Sequence, residues 1–213
     1  MELFYNISKF QKEKILQYLE ANILFFKKNN IILSSVKKDD IIGFVVEGHL
    51  QIIKTDYNGN ETMLEDLYEN DVFGTNISFI SNNEYSIKTK EDTKIVILYF
   101  DEIINKELNW AYYNQFLKNL LEIVNNKIIS NNERIYILTN KTIRNKLLAF
   151  FKIVSDKNNS KYIYLPFSFT ELADYLAVDR ASMHRELKHL KEEGIIDIKN
   201  KRIKLNTYDE LFY

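Results

Sequence analysis

The chain has 213 residues, 46% of them apolar, and a formal net charge of −1, so it can bury a core and has room for one large or two modest domains. It contains no cysteine, which excludes disulfides, thiolate zinc sites and cysteine-held iron–sulfur clusters and fits a reducing compartment. The opening MELFYNISKF has no basic-then-apolar export signal, and the longest strongly apolar run, IVILYF at 95–100, is too short to span a membrane; a soluble cytoplasmic protein with no membrane partner is expected.

The near-neutral total hides an asymmetry. Residues 1–138 carry 15 Lys+Arg against 20 Asp+Glu, a balance of −5, whereas 139–213 carry 14 against 10, a balance of +4. The arginines are Arg134, Arg144, Arg180, Arg185 and Arg202, so the first 133 residues have none. An acidic body with a basic end raises the question of an anionic partner for that end.

A short amphipathic opening (Ile7, Phe10, Ile15, Leu16, Leu19) gives way, from about 23 to 100, to β-branched and aromatic runs broken by turn signals: IIGFVV then EGH, LQIIKT then DYNGN, TMLEDL then YEND, and finally KIVILYF. Asn58-Gly59 between two such runs predicts a hairpin, because both turn positions favour positive φ. Short strands at this spacing predict a small antiparallel barrel or jelly roll.

From 106 to 138 the period becomes helical. Trp110, Leu117, Leu121, Val124, Ile128, Ile135 and Leu138 fall on steps of three, four and seven, with Asn131 interrupting the seam, and Tyr113, Phe116, Leu120 and Ile123 form a second stripe beside it. A long helix with two apolar stripes serves two surfaces, its own barrel and a partner helix. A seam Asn is costly unless it pairs, and fixing register in a dimer is its best attested use. A parallel homodimer is expected.

A further helix is predicted over 140–154, with Ile143, Leu147, Leu148, Phe151 and Val154 inward, then the polar loop SDKNNSK and the strand-like YIYLPF. Pro166 stands just before the next helix start, where Ser168 and Glu171 have capping-box spacing. Helix 169–176 leads through AVD to a second helix, for which Asp179 is placed as the N-cap. Projected at about 100° per residue, Met183, Leu187 and Leu190 share one face; Ala181, Arg185 and Lys188 lie opposite, flanked by His184, Ser182 and His189. EEGIIDIKNKRIKLN then reads as strand, turn at Asn200-Lys201 and returning strand, a wing carrying Lys199, Lys201, Arg202 and Lys204. Two short helices joined by a tight turn lay the second in the DNA major groove.

TELADYLAVDRASMHRELKHLKEEGII resembles the helix-turn-helix of the Crp/Fnr family of bacterial transcription regulators, and the order of barrel, long helix and winged helix is similar to that family over nearly the whole chain. The resemblance implies an α+β fold: a cyclic-nucleotide-binding-like β-roll or jelly-roll sensor over 1–105, a dimerisation helix over 106–138 with Leu117, Leu121, Val124, Ile128, Asn131 and Ile135 at the seam, and a winged helix-turn-helix over 139–213. It implies a homodimer reading a roughly two-fold symmetric double-stranded DNA site, with RNA polymerase as a further partner. Arg180 and Arg185 take the family's usual DNA-contacting positions, whereas Ala181 stands where many members carry a glutamate. Arg185 can make a bidentate contact to guanine, worth about 1–3 kcal/mol of discrimination. Arg180, Ser182, Lys188 and the wing cations Lys199, Lys201, Arg202 and Lys204 are expected at phosphates, with His184 beside them.

Cyclic-nucleotide binders of the family follow Phe-Gly-Glu with Arg-Ser or Arg-Thr, the glutamate on the ribose and the arginine on the cyclic phosphate. The corresponding stretch here is VFGTNISFISNNEYSIKTK. Phe73-Gly74 is kept, Thr75 takes the glutamate position with Asn76 next to it, and the arginine position falls on Asn83 or Glu84, just before Tyr85. A neutral or acidic side chain cannot replace a guanidinium fork on a phosphate. Lys88 and Lys90 remain, with their direction open. Tight binding of cyclic AMP or cyclic GMP is therefore not expected. A different small effector, neutral or aromatic, or control without one, stays open; Tyr57, Tyr68, Phe73, Phe79 and Tyr85 could line a pocket, and ordinary barrel-core packing accounts for them better.

Two other classes are compatible with parts of this pattern. A metalloenzyme on such a barrel needs a His and carboxylate cluster, but His49 is the barrel's one histidine, His184 and His189 are poorly spaced to chelate, and no phosphate loop or catalytic triad motif is present; no metal, cofactor or enzymatic activity is expected. A dimeric adaptor using its winged helix on protein is compatible with the fold.

Overall fold

The runs IIGFVV and KIVILYF are apolar at consecutive rather than alternate positions, as in strands buried on both faces. The computed structural model, which describes residues 2–32, 40–59, 61–74, 85–106, 110–165 and 168–206, shows what covers each face. Strands β1 (Asn22–Phe26), β2 (Ile41–Glu47), β5 (Val72–Gly74) and β7 (Thr93–Tyr99) form an antiparallel sheet in the order β1-β7-β2-β5; β3 (Leu50–Thr55), β4 (Glu61–Leu67) and β6 (Tyr85–Thr89) form a second, with β3 in the middle. Ile41, Val45, Ile95 and Ile97 join Leu50, Ile52, Leu67, Phe73 and Ile87 in one core. Their neighbours Ile42, Phe44, Val96 and Leu98 belong to another, built with Ile15 of α1 (Lys9–Tyr18), Ile103 of α2 (Phe100–Asn105), and Tyr113, Phe116 and Leu120 of α3 (Ala111–Thr139). Alternation thus persists at period two, with both faces apolar.

The hairpin expected at Asn58-Gly59 joins β3 to β4, but its turn differs from the expected one. Only Gly59 of the pair has positive φ (+81°). Asp56 organises the turn instead: its carboxylate accepts the Asn58 N–H at 2.8 Å and its carbonyl accepts the Gly59 N–H at 3.0 Å. This is an Asx turn, which leaves just one residue needing a left-handed conformation.

The expected helix from 106 begins later. Phe100–Asn105 forms a separate helix, with Asp101 and Glu102 in the first turn, where acidic side chains complement the helix dipole; α3 starts at Ala111. Of its two stripes, Tyr113, Phe116 and Leu120 are buried and Leu117, Ile123 and Val124 pack half-buried beside them. Leu121, Ile128 and Ile135 are 70%, 52% and 59% exposed, and Asn131 is exposed. Buried Asn119 donates to the carbonyls of Leu3 and Tyr5 and so ties the N-terminal segment to α3.

The chain divides into two compact units, Met1–Asn126 and Lys127–Tyr213. In the second, α4 (Ile143–Asn158) runs beyond the expected end, through Ser-Asp-Lys-Asn to Asn159 at φ 46°. Ser155 is 3% exposed and donates to the Ser160 carbonyl at 2.7 Å, which holds that polar last turn in place. α5 (Phe169–Tyr175), α6 (Arg180–Glu192) and the sheet β8-β10-β9, made from β8 (Tyr162–Tyr164), β9 (Ile196–Lys199) and β10 (Arg202–Leu205), complete the unit. Pro166 and Phe79 lie outside the described residues. Among the described residues no helix is long and apolar enough to cross a membrane.

Candidate nucleic-acid interface

The C-terminal unit is organised by its helix ends. Ser168 and Glu171 form the expected capping box: the Ser168 N–H donates to Glu171 Oε2 at 2.6 Å and the Glu171 N–H to Ser168 Oγ at 3.3 Å, which satisfies orphan donors at the start of α5. At its end, Ala177 takes a left-handed conformation (φ 49°), while the Ala177 N–H donates to Asp174 O and the Val178 N–H to Ala173 O, at 3.1 and 3.0 Å. That is a Schellman motif built on alanine where glycine is preferred. Lys146 Nζ donates to the Leu176 carbonyl at 3.0 Å and helps to hold the turn.

Asp179 then caps α6, accepting the Ser182 N–H at 2.8 Å. Hydrogen bonds from the Ser182 hydroxyl and backbone hold the Asp179 carboxyl below its ordinary range; the Glu171 carboxyl is lowered likewise by its bonds to Ser168. Met183, Leu187 and Leu190 are buried, in a core with Leu147, Phe150 and Phe151 of α4 and Leu172, Ala173 and Leu176. Arg180, Ala181, His184, Arg185, Lys188 and His189 are exposed, and Ser182 is half-buried. The faces expected from the periodicity are the faces observed. Arg144 of α4, given no role in the sequence reading, donates to both carboxylate oxygens of Glu193, through Nη1 at 2.9 Å and through Nη2, and to Glu186 at 3.4 Å, pinning α6 by its side. A second Schellman motif closes α6: Gly194 is at φ 74°, its N–H donates to Lys191 O and the Ile195 N–H to Leu190 O, which explains Glu-Glu-Gly as a helix stop.

The wing is a hairpin with Arg202 opposite Lys199 and a turn at Asn200-Lys201, Asn200 at φ 57°. β8 pairs with β10 and adds a third strand. Lys199, Lys201 and Arg202 are exposed and Lys204 is half-buried. The Arg202 guanidinium lies 4.1 Å from the Tyr162 ring centre and 5.4 Å from that of Tyr164, a cation–π contact that gives it a fixed place on the sheet rather than a free reach.

The expected sensor positions fare differently. Phe73 is fully buried, its ring filling the space above Gly43, where a Cβ would come within 2.1 Å of it; Gly74 is equally constrained, a Cβ meeting the Ile41 carbonyl oxygen at 2.3 Å. Roll packing therefore accounts for Phe-Gly without a ligand. Thr75, Asn76, Asn83 and Glu84 lie outside the described residues. Tyr85 packs half-buried on the roll core. Tyr57 and Tyr68 do not pack in the roll core: they are 97% and 56% exposed, and Tyr68 stacks on His49, centres 4.4 Å apart. Lys88 faces away from buried Ile87 and pairs with Glu61 at 3.8 Å, while Lys90 is exposed. Neither lysine enters the core.

A family model for the Crp-like helix-turn-helix domain matches residues 145–211, and one for the cyclic nucleotide-binding domain matches residues 23–105. Among solved structures, the chain is similar to a CooA variant from Carboxydothermus hydrogenoformans (18% identity, 98% of this chain and 93% of that one, TM-score 0.67). It is also similar to CprK complexed with OCPA (18%, 93% and 94%, TM-score 0.70) and to a cyclic nucleotide-binding domain containing protein from Listeria monocytogenes (17%, 91% and 96%, TM-score 0.60). No curated protein matches the chain by sequence. With a cyclic-nucleotide-binding-type roll, a long helix and a Crp-like helix-turn-helix in this order, the chain belongs to the Crp/Fnr family of transcription regulators.

Proposed function

We propose that the protein is a homodimeric, sequence-specific DNA-binding regulator, with a sensor over 1–105, a dimerisation helix over 106–138 and a DNA-reading unit over 139–213. The exposed cationic face of α6 carries this reading: Arg180, Arg185 and Lys188 stand opposite the buried Met183, Leu187 and Leu190. Arg185 reads a guanine edge, while Arg180, Lys188 and Lys201 hold phosphates. Dimerisation is supported by Leu121, Ile128 and Ile135, spaced by sevens and exposed on a helix whose other stripe is already covered. RNA polymerase is the further protein partner.

The sensor lacks the arginine that a cyclic phosphate needs, and the described lysines of β6 and its turn do not supply a substitute. Its effector, if it has one, is a small molecule other than cyclic AMP or cyclic GMP. The fold admits other ligands, since CprK is complexed with OCPA. The protein works cytoplasmically, without cofactor, metal or catalysis.

Selection of a randomised duplex library with the full-length protein tests the reading. The expected result is enrichment of a two-fold symmetric sequence, with half-sites one helical turn or a multiple apart and affinity falling steeply with salt. No enrichment together with a flat salt dependence would point to a protein-binding adaptor instead.

A further inference from the structure

Asp179, Ser182 and Arg185 are linked in sequence along the start of α6. The Ser182 hydroxyl donates to Asp179 Oδ1 at 2.7 Å, the same oxygen that accepts the Ser182 N–H, and Arg185 Nη2 donates to Ser182 Oγ at 2.9 Å. A serine hydroxyl has a single proton. With that proton committed to Asp179, Ser182 has only lone pairs left, and these meet the guanidinium. Such a hydroxyl is a poor phosphate donor. It is a good acceptor for a cation, because its own bond to a carboxylate polarises it.

We propose that Ser182 is a positioning residue for Arg185 rather than a phosphate ligand: with Asp179 behind it, it holds the guanidinium on the groove-facing side of α6 before DNA arrives. The inference rests on the reading of α6 as the recognition helix. One of the five guanidinium N–H donors is used in this way, which leaves enough for a bidentate contact to guanine. An arginine so tethered loses less freedom on binding than a free one. Ordering a side chain of this length typically costs a complex roughly threefold to tenfold in affinity, and the cost is paid only where Arg185 makes its directed contact. Ala181, the residue before Ser182, has only a methyl side chain and adds no polar group. The tether therefore bears on discrimination between sequences more than on general attraction to DNA.

The test compares wild-type chain with Ser182→Ala and Ser182→Thr on two duplexes, the one enriched by the wild-type protein from a randomised library and a scrambled version of equal length. Ser182→Ala keeps the backbone N–H that caps α6, and thermal melting checks that the fold survives. The expected result is a threefold to tenfold fall in the ratio of the two affinities for Ser182→Ala, with Ser182→Thr, which restores the hydroxyl, close to wild type. A parallel fall on both duplexes, which leaves the ratio where it was, would make Ser182 a phosphate contact and overturn the proposal. An unaltered ratio in Ser182→Ala would overturn it as well. A wild-type chain that enriches no duplex would sink the recognition reading itself, and this inference with it.

Discussion

Ile128→Asp tests the dimer helix. Ile128 is 52% exposed on α3, between Leu121 one heptad before and Ile135 one heptad after. Full burial of an isoleucine side chain contributes about 1.5–3 kcal/mol, so covering the exposed half is worth about 1 kcal/mol per protomer. A two-fold interface contains the residue twice, which makes the loss roughly 2 kcal/mol, or about thirtyfold in the dimer dissociation constant. Aspartate adds two carboxylates that must be desolvated near one another, so thirtyfold is a floor. Sedimentation equilibrium over a range of concentrations measures it. Asn126→Asp, nearly opposite on the helix and exposed, is the control and leaves the constant where it was. If Ile128→Asp associates as tightly as wild type, or the wild-type chain is monomeric throughout, the stripe is not the interface.

Acid should loosen the helix-turn-helix. The Asp179 and Glu171 carboxyls are lowered by the hydrogen bonds they accept, so each stabilises the fold fully above its unfolded-state pKa and loses that contribution as pH falls through its folded-state value. Asp179→Ala should therefore melt below wild type at neutral pH, with the gap closing below about pH 4; a gap constant down to the acid limit would contradict the assigned protonation. Calorimetric titration with cyclic AMP and with cyclic GMP should show no micromolar binding, and micromolar affinity for either would require a phosphate clamp that the described residues do not contain. Lys201→Ala, at the wing turn, should weaken enriched and scrambled duplexes alike and flatten the salt dependence by about one counterion; a loss confined to the enriched duplex would make it a base reader.

What the sequence made legible, and what it did not, follows from the range of the interactions concerned. The faces of α6 and the caps at Ser168 and Asp179 depend on residues within one or two turns, and they appear where spacing puts them. The β3–β4 pairing was legible from alternation and turn residues, but not the turn itself, because Asp56, two residues before Asn58, competes for its backbone N–H groups. Long-range pairings were hidden. Nothing local says that β8 joins the wing through β10, that Phe73 needs Gly43 beneath it, or that Asn119 reaches the carbonyls of Leu3 and Tyr5. The ring contacts of Arg202 were hidden too, because Tyr162 and Tyr164 lie some forty residues earlier in the chain. The bond from the Ser182 hydroxyl to Asp179 was hidden because sequence does not reveal where a hydroxyl proton goes.

The recognition role proposed for α6 rests most directly on Arg185. Affinities of wild type and Arg185→Ala for the enriched and the scrambled duplex, measured at one salt concentration, compare base reading with general attraction. Loss of a bidentate guanine contact costs about 1–3 kcal/mol, so discrimination should fall by roughly fivefold to a hundredfold or more, with a much smaller change on the scrambled duplex. Undiminished discrimination in Arg185→Ala would show that the exposed face of α6 is not what reads the sequence.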